Sequence, residues 1–310
     1  MGDVTTIALL GFGEVGQALA DDLRRQSGIE LHVWDIAFVD PQSAPSCAAR
    51  ARRPFIVGGD MIGMPHVAAG GVLQAASAAE AIRDADLVIS AVTAAQTVVA
   101  ARTVLPALRP GAYFLDLNSS SPGMKQEAAL MMAWAEARYV EAAVMSPIHP
   151  RGIGSPMLLG GPHVRDFLTV AEGLGFTGAT PFSEVVGRAA ATKLCRSVMI
   201  KGVEALLTES LLAARHYGVE QVVLDSLSDL LPLPDWTRTA QYMISRSLEH
   251  GTRRAEEMRE AARTVEEAGV PAPMSHAIAE RQDWAAEHRA ALSPDLLTML
   301  DAVIARLDTQ

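Results

Sequence analysis

The feature that most constrains this chain is a glycine-spaced turn close to its start. Residues 5–10 form a short apolar run of the length expected for a buried β-strand, and residues 15–25 show the periodicity of an amphipathic helix. Between them lies the turn Gly11-Phe12-Gly13-Glu14-Val15-Gly16. The first glycine of such a turn permits a tight bend, the second lets the backbone approach a pyrophosphate, and the third lets helix and strand pack closely. This context favours a dinucleotide-binding turn, with the phosphates at the helix N-terminus, over a strand-turn-helix that needs glycine only for packing.

The rest of the N-terminal half alternates between strand-like and helix-like segments. Strands are predicted at residues 31–34, 86–92, 113–117 and 138–144, and a helix is predicted at 77–83 with Ser77 as its N-cap and Glu80 three residues later. Residues 37–76 are rich in Pro, Gly, Ala and Ser, and we expect loops with short elements there. Alternating strands and helices predict an α/β fold, namely a doubly wound parallel sheet of the Rossmann type covered by helices.

The C-terminal part of the chain has the pattern of an all-α domain. One long helix is predicted over residues 189–216 and ends at Gly218. Further helical segments are separated by Pro232 and Pro234, and later by Gly269 with the prolines that follow it. We therefore predict a Rossmann domain over residues 1–182 and an all-α domain over 183–310, with the site in the cleft between them.

Asp35 ends the second predicted strand, 19 residues after Gly16. A carboxylate at this position can accept hydrogen bonds from the ribose hydroxyls of the cofactor and would repel the additional phosphate of NADP. The residues that follow, Ile36-Ala37-Phe38, include no arginine. The sequence therefore favours NAD over NADP, although a solvated acidic residue at a strand end remains an alternative.

Composition excludes several classes of function. The formal net charge is −10 and no run of Lys or Arg stands out, so nucleic-acid binding has little electrostatic support. No stretch reaches the length of a membrane span, and the N-terminus shows no secretory signal. The two cysteines, Cys47 and Cys195, are far apart in sequence and form neither a disulfide framework nor a metal site. We expect a cytoplasmic protein without a bound metal.

Three further segments carry polar residues in a distinctive order. Residues 116–122 read DLNSSSP after a predicted strand, residues 141–147 read EAAVMSP, and residues 187–197 read GRAAATKLCRS at the start of the long helix. Together with the glycine turn, they resemble the β-hydroxyacid dehydrogenase superfamily over nearly the whole chain. The same matches, together with the run from Arg253 to Gly269, also suggest a less-studied branch of that superfamily. It joins a 6-phosphogluconate dehydrogenase-like NAD-binding domain to a C-terminal helical domain of unassigned function.

The resemblance implies a role for Lys193. It occupies the position of the catalytic lysine of the family, and on an otherwise apolar helix start it would be partly desolvated, which lowers the pKa and makes it a usable general base. The structural alternative is that Lys193 forms a salt bridge between domains and has no catalytic role. The resemblance further implies an oxidoreductase that transfers a hydride between nicotinamide and a small, anionic hydroxy acid, and a homodimer.

Binding candidates come from the segments that carry the resemblance and from residues at or near the places where the chain departs from the family pattern. The substrate-binding candidates are Ser119, Ser120, Ser146, His149 and Arg196, and the cofactor candidates, besides the glycine turn and Asp35, are Val92, Thr93 and Asn118. Each has a structural alternative: Ser119 or Ser120 can cap the next helix, and His149 can be an ordinary loop histidine.

The chain departs from the family pattern at three places. Residues 145–147, Met-Ser-Pro, replace a small Ser-Gly-Gly backbone, and Arg196-Ser197 replaces an Asn pair. Glu256-Glu257 falls where the dehydrogenases carry a Lys-Asp pair. These departures leave two alternatives open: an imine reductase or ketopantoate-type reductase, against which Lys193 argues, and a non-catalytic protein that senses dinucleotides on the same fold.

Overall fold

In the computed structural model, the first strand of the chain lies within an eight-stranded sheet whose order is β10-β9-β8-β7-β6-β1-β2-β5. The structure describes residues 4–53, 56–59, 65–67, 70–230 and 235–307. The strands of this sheet are β1 (Thr6–Leu10), β2 (Glu30–Trp34), β5 (Leu73–Gln74), β6 (Leu87–Ser90), β7 (Tyr113–Asp116), β8 (Arg138–Val144), β9 (Met157–Gly160) and β10 (Ala179–Ser183). A separate antiparallel hairpin pairs β3 (Ile56–Gly59) with β4 (Pro65–Val67).

The strand order reverses at β1. The chain passes from β1 outward through β2 to β5, then returns to the other side of β1 with β6 and continues to β7 and β8. These strands pair in parallel, whereas β9 runs antiparallel to β8. Such a reversal leaves a crevice at the carboxyl ends of β1 and β6, where doubly wound sheets bind ligands. The predicted Rossmann fold is therefore confirmed.

Helices cover the sheet because alternate strand residues point to opposite faces and both sets are apolar. On one face Ile7 and Leu9 pack with Leu19, and on the other Ala8 and Leu10 pack with Ile82. The helices of this part are α1 (Glu14–Leu23), α2 (Ala44–Ala51), α3 (Ala78–Ile82), α4 (Thr97–Val104), α5 (Pro122–Trp134) and α6 (Val164–Gly173).

The remainder of the chain is helical, as predicted. Its helices are α7 (Arg188–Tyr217), α8 (Glu220–Leu230), α9 (Trp236–Glu267), α10 (Pro273–Glu287) and α11 (Leu296–Leu307). Gly218 follows α7 with φ +69°, as its predicted stop requires. The break predicted at Pro232 and Pro234 lies outside the described residues. No helix in the described ranges is long and apolar enough to cross a membrane.

The chain divides into two compact units, Met1–Lys193 and Leu194–Gln310. The division falls inside α7, whereas the sequence prediction placed it at 182/183, near the end of β10. The second unit has its own core, built around Leu211, Trp236, Ile244 and Met299. Lys193 is thus the last residue of the unit that contains the sheet.

Candidate functional site

The three glycines of the turn after β1 have different surroundings. Gly11 has φ +91°, and a Cβ there would collide with the carbonyl oxygen of Ala91 at the end of β6. A Cβ on Gly16 would collide with the carbonyl oxygen of Gly11, so helix and turn are in close contact. A Cβ on Gly13 would meet nothing within 4 Å. The turn therefore has one open position, at the glycine where a pyrophosphate approaches in dinucleotide-binding turns.

The start of α1 fits the same group. Gly13 precedes the helix and has no side chain to cap it, and the first N–H groups of a helix have no acceptor within the helix. Glu14 is exposed and Val15 is half-buried, whereas the Phe12 ring is fully buried and packs edge-on against Phe38. The turn and helix N-terminus are thus suited to hold the phosphates of a dinucleotide through backbone N–H groups.

Asp35 fixes the turn from the end of β2. Its Oδ2 accepts a hydrogen bond from the Phe12 N–H at 2.6 Å, and its Oδ1 accepts one from the Ala37 N–H at 2.8 Å. The Phe12 N–H is therefore already used within the protein. A carboxylate oxygen can accept more than one hydrogen bond, so Asp35 retains acceptor capacity for ribose hydroxyls.

Asn118 joins the ends of two neighbouring strands. Its Oδ1 accepts from the Val92 N–H at 2.8 Å, and its Nδ2 donates to Ser90 Oγ at 3.0 Å. The side chain is buried, and Thr93 beyond it is exposed. Asn118 thus links the carboxyl ends of β6 and β7. The sequence analysis proposed a direct contact with the cofactor and did not include this linking role.

Lys193 and Ser119 meet at the carboxyl edge of the sheet. Lys193 Nζ donates to Ser119 Oγ at 2.6 Å, across 74 positions of sequence. Ser120, the next residue, is fully buried and its Oγ has no hydrogen-bond partner within the part of the chain that the structure describes. The cap of α5 is Ser121, whose Oγ accepts from the Met124 N–H, so the alternative of a capping Ser119 or Ser120 is wrong.

A buried polar cluster behind this loop was missed by the sequence analysis. Lys125 Nζ lies 2.7 Å from Asp116 Oδ1, and the Tyr139 hydroxyl donates to Asp116 Oδ2 at 2.9 Å. Burial, followed by the negative charges of Asp116 and Glu141, raises the pKa of Tyr139 well above its usual value. A signal was present, because Lys125 shares the buried face of α5 with Ala128 and Met132.

Glu141, in β8, contacts the start of α7. Oε1 accepts from the N–H groups of Gly187 at 2.8 Å and Ala189 at 3.2 Å, and Oε2 accepts from that of Ala190 at 3.4 Å. Burial raises the pKa of Glu141, and the nearby Lys125 and the three N–H groups oppose this shift. The sequence analysis assigned Glu141 no role beyond its place in the resemblance.

The loop after β8 carries two other candidates. Ser146 is half-buried and its Oγ donates to the Pro147 carbonyl at 3.0 Å, and the His149 side chain is exposed. The loop is fastened to α1 because Asp22 Oδ2 accepts from the Ile153 N–H at 2.9 Å. The structure thus joins Lys193 to Ser119, and it places Ser146 and His149 on a separate loop.

The candidates on the later part of α7 belong to the second unit. Arg196 is exposed. Ser197 is buried and its Oγ accepts from Lys201 Nζ at 3.2 Å. Lys201 Nζ also lies 2.8 Å from Glu257 Oε2. The Glu257 that departs from the family pattern is therefore part of a polar contact between α7 and α9.

Comparison with known proteins agrees with this architecture. Residues 6–163 match the NAD-binding domain of 6-phosphogluconate dehydrogenase, and residues 214–285 match a domain of unknown function, DUF1932. None of the curated proteins compared matches the chain.

Solved structures match along almost the whole chain. A conserved hypothetical protein from Sinorhizobium meliloti 1021 is 36% identical with a TM-score of 0.72, covering 98% of this chain and 97% of its own. The conserved protein MTH1747, of unknown function and described as similar in structure to 3-hydroxyacid dehydrogenases, is 26% identical with a TM-score of 0.66, covering 92% and 98%.

A 3-hydroxyisobutyrate dehydrogenase from Mycobacterium tuberculosis, solved with L-serine, shares the fold at 19% identity and a TM-score of 0.67, covering 97% of this chain and 99% of its own. The glycine turn, the sheet order and the matched domains all agree with the resemblance drawn from the sequence. The chain belongs to the β-hydroxyacid dehydrogenase superfamily of NAD(P)-dependent oxidoreductases, with a 6-phosphogluconate dehydrogenase-type NAD-binding domain followed by a DUF1932 domain.

Proposed function

We propose that the protein is an NAD-dependent dehydrogenase that acts on the CH–OH group of a small, anionic hydroxy acid. The observation that carries the proposal is the 2.6 Å contact between Lys193 Nζ and Ser119 Oγ, beside the edge of the sheet at which doubly wound folds bind ligands. An amine held next to a hydroxyl at this edge is suited to exchange a proton with a bound alcohol.

In this proposal Lys193 is the general acid and base. In the oxidising direction its Nζ takes the proton of the substrate hydroxyl, and in the reducing direction the same atom returns it. A bound nicotinamide supplies the acceptor or donor of the hydride. Ser119 orients Nζ, and the buried hydroxyl of Ser120, which has no partner among the described residues, is a further group that can orient the substrate. Ser146, His149 and Arg196 remain weaker proposed candidates for substrate binding.

Replacing Lys193 tests this assignment. We expect Lys193→Ala to lower kcat at least ~100-fold, because a positioned general base contributes about 10²–10⁴ in rate, and to leave NAD binding nearly intact. A panel of small hydroxy acids assayed by NADH absorbance would measure it. Thr192→Ala is the matched control, since Thr192 is exposed on the same turn of α7. Full turnover by the Lys193 variant would refute the role.

The cofactor preference is tested by thermal melting with NAD, NADH, NADP and NADPH separately. A ligand that binds only the folded state raises Tm according to its affinity. Because the Asp35 carboxylate lies at the end of β2 and would repel an additional phosphate, we expect larger shifts with NAD(H) than with NADP(H). The reverse order would leave the fold standing and overturn the argument from Asp35.

Two alternatives are tested by the same panel. Imine reductases share this fold, one of them solved with NADP+, so turnover of cyclic imines without turnover of hydroxy acids would favour that chemistry. Tight dinucleotide binding without any turnover would favour a sensing protein. The proposal also includes a homodimer and a cytoplasmic location, both from the sequence analysis.

A further inference from the structure

We infer that Glu141 is a positioning residue that places Lys193 for catalysis by capping the N-terminus of α7. The inference rests on the proposed function, because it concerns the lysine assigned there as acid and base. Glu141 and Lys193 belong to the same compact unit, and Glu141 is held on the sheet by both of its strand neighbours, β7 and β9.

The beginning of α7 receives hydrogen-bond acceptors from another element. The residue before the helix is Gly187, with φ +97°, and it has no side chain that could accept from the first N–H groups. Glu141 supplies both acceptor oxygens instead, from β8, through its bonds to Gly187, Ala189 and Ala190. A carboxylate at a helix N-terminus is also stabilised by the helix dipole.

The neighbouring strand is built to let the Glu141 side chain through. Gly160 in β9 lies opposite Glu141 in the antiparallel pair, and a Cβ on Gly160 would lie 2.5 Å from Glu141 Oε1. Glycine at this position therefore leaves the space that the carboxylate occupies. Any larger residue would displace it from the helix N-terminus.

The capped turn leads directly to the lysine. Ala189 and Ala190, whose N–H groups Glu141 accepts from, precede Lys193 by four and three positions and lie on the same side of α7. Both alanines are buried, at 0% and 4% exposure. A first turn that frays or rotates would carry Lys193 Nζ away from Ser119, and a misplacement of about 1 Å can cost ~100-fold in rate.

The test compares Glu141→Gln, which keeps the size of the side chain but replaces one acceptor oxygen by a donor, with Gly160→Ala, which keeps the carboxylate but displaces it. We expect each variant to lower kcat per NADH-binding site about 10- to 100-fold with Kd for NADH unchanged. Two variants are used so that a failure of one to fold leaves the other informative.

Asp235→Ala is the matched control for a lost helix cap. Asp235 Oδ1 accepts from the Arg238 N–H at 2.8 Å at the start of α9, so this variant also loses a carboxylate cap of a long helix. We expect it to lower Tm without changing kcat. An equal loss of kcat in the control, or normal kcat in both Glu141→Gln and Gly160→Ala, would overturn the inference.

A double-mutant cycle separates positioning from general support of the fold. If Glu141 acts through Lys193, Glu141→Gln should lower the single-turnover rate of Lys193→Arg by less than twofold. The reason is that the lysine amine that Glu141 positions is already absent from this variant. Effects that multiply would show that Glu141 acts independently of the lysine and would refute the inference.

Chemical labelling of Lys193 by an amine-reactive anhydride, read by mass spectrometry, does not depend on turnover. We expect Glu141→Gln to change the labelling rate of Lys193 severalfold and to leave that of Lys201 unchanged. Such a change in an enzyme that turns over no substrate of the panel would uphold the positioning and refute the proposed function. Unchanged labelling of Lys193 beside normal turnover would refute the inference alone.

Discussion

The three glycines of the turn after β1 differ in what surrounds them. Backbone atoms of the protein itself occupy the space beside Gly11 and Gly16, whereas the space beside Gly13 is open. A side chain at Gly11 or Gly16 would therefore disturb the fold. A side chain at Gly13 would instead enter the space in which the proposed cofactor lies.

This difference predicts that Gly13→Ala separates binding from folding. We expect its Tm to fall by no more than a few degrees, because a single alanine meets nothing within 4 Å, and its affinity for NAD(H) to fall at least ~10-fold through steric exclusion of the phosphates. Calorimetric titration measures the affinity. Gly16→Ala is the comparison. We expect it to lower Tm more than Gly13→Ala does, because a Cβ there would collide with the carbonyl oxygen of Gly11. Undiminished NAD(H) binding by Gly13→Ala would argue against the site.

At the scale of elements, Lys125 joins α5 to the end of β7. Lys125 is 1% exposed and Asp116 is 0% exposed, and removal of one partner of such a pair leaves an unpaired charge in the interior. The pair also supports the loop that carries Ser119, since Asp116 Oδ1 accepts from the Asn118 N–H at 2.9 Å.

We accordingly expect Lys125→Met to destabilise the protein by about 3–5 kcal/mol, measured by urea unfolding. Arg165→Met provides the comparison, because both side chains of the Arg165–Glu184 pair are exposed and such pairs contribute little. Similar losses of unfolding free energy in both variants would show that the buried Lys125–Asp116 pair contributes no more to stability than the exposed pair.

Elements with a strong local pattern could be predicted from the sequence. The strand at 138–144 and the long helix that begins near Ala189 were confirmed, as was the cap by Ser77, whose Oγ accepts from the Glu80 N–H at 3.1 Å. Within 37–76 the sequence has little periodicity, and α2 and the short strands there could not be delimited.

Contacts between distant residues could not be predicted in the same way. The cap that Glu141 provides to α7 joins residues 46 to 49 positions apart in sequence. It also depends on the antiparallel pairing of β8 with β9, which no local sequence pattern predicts. The contact of Lys193 with Ser119 was approached only through the resemblance to a family, since nothing in either segment by itself specifies the other.

At the scale of the whole molecule, both compact units combine an apolar interior with buried charges, such as the Lys125–Asp116 pair in the unit that contains the sheet. The unit that contains the sheet has apolar clusters on both of its faces. The helical unit has an apolar core together with buried charged residues, of which Glu204 pairs with Arg254. Burial raises the pKa of Glu204, and Arg254 and Lys201 oppose that shift. An interior with paired charges is sensitive to the loss of either partner.

The bond between Asp22 and Ile153 has a consequence for what solvent can reach. The Ile153 amide donates to a side chain of α1, so opening of its bond to Asp22 exposes this amide to exchange of hydrogen for deuterium. The same helix begins at the glycine turn, where the cofactor is proposed to bind. Deuterium uptake at the Ile153 amide therefore reports whether α1 holds the loop that carries His149.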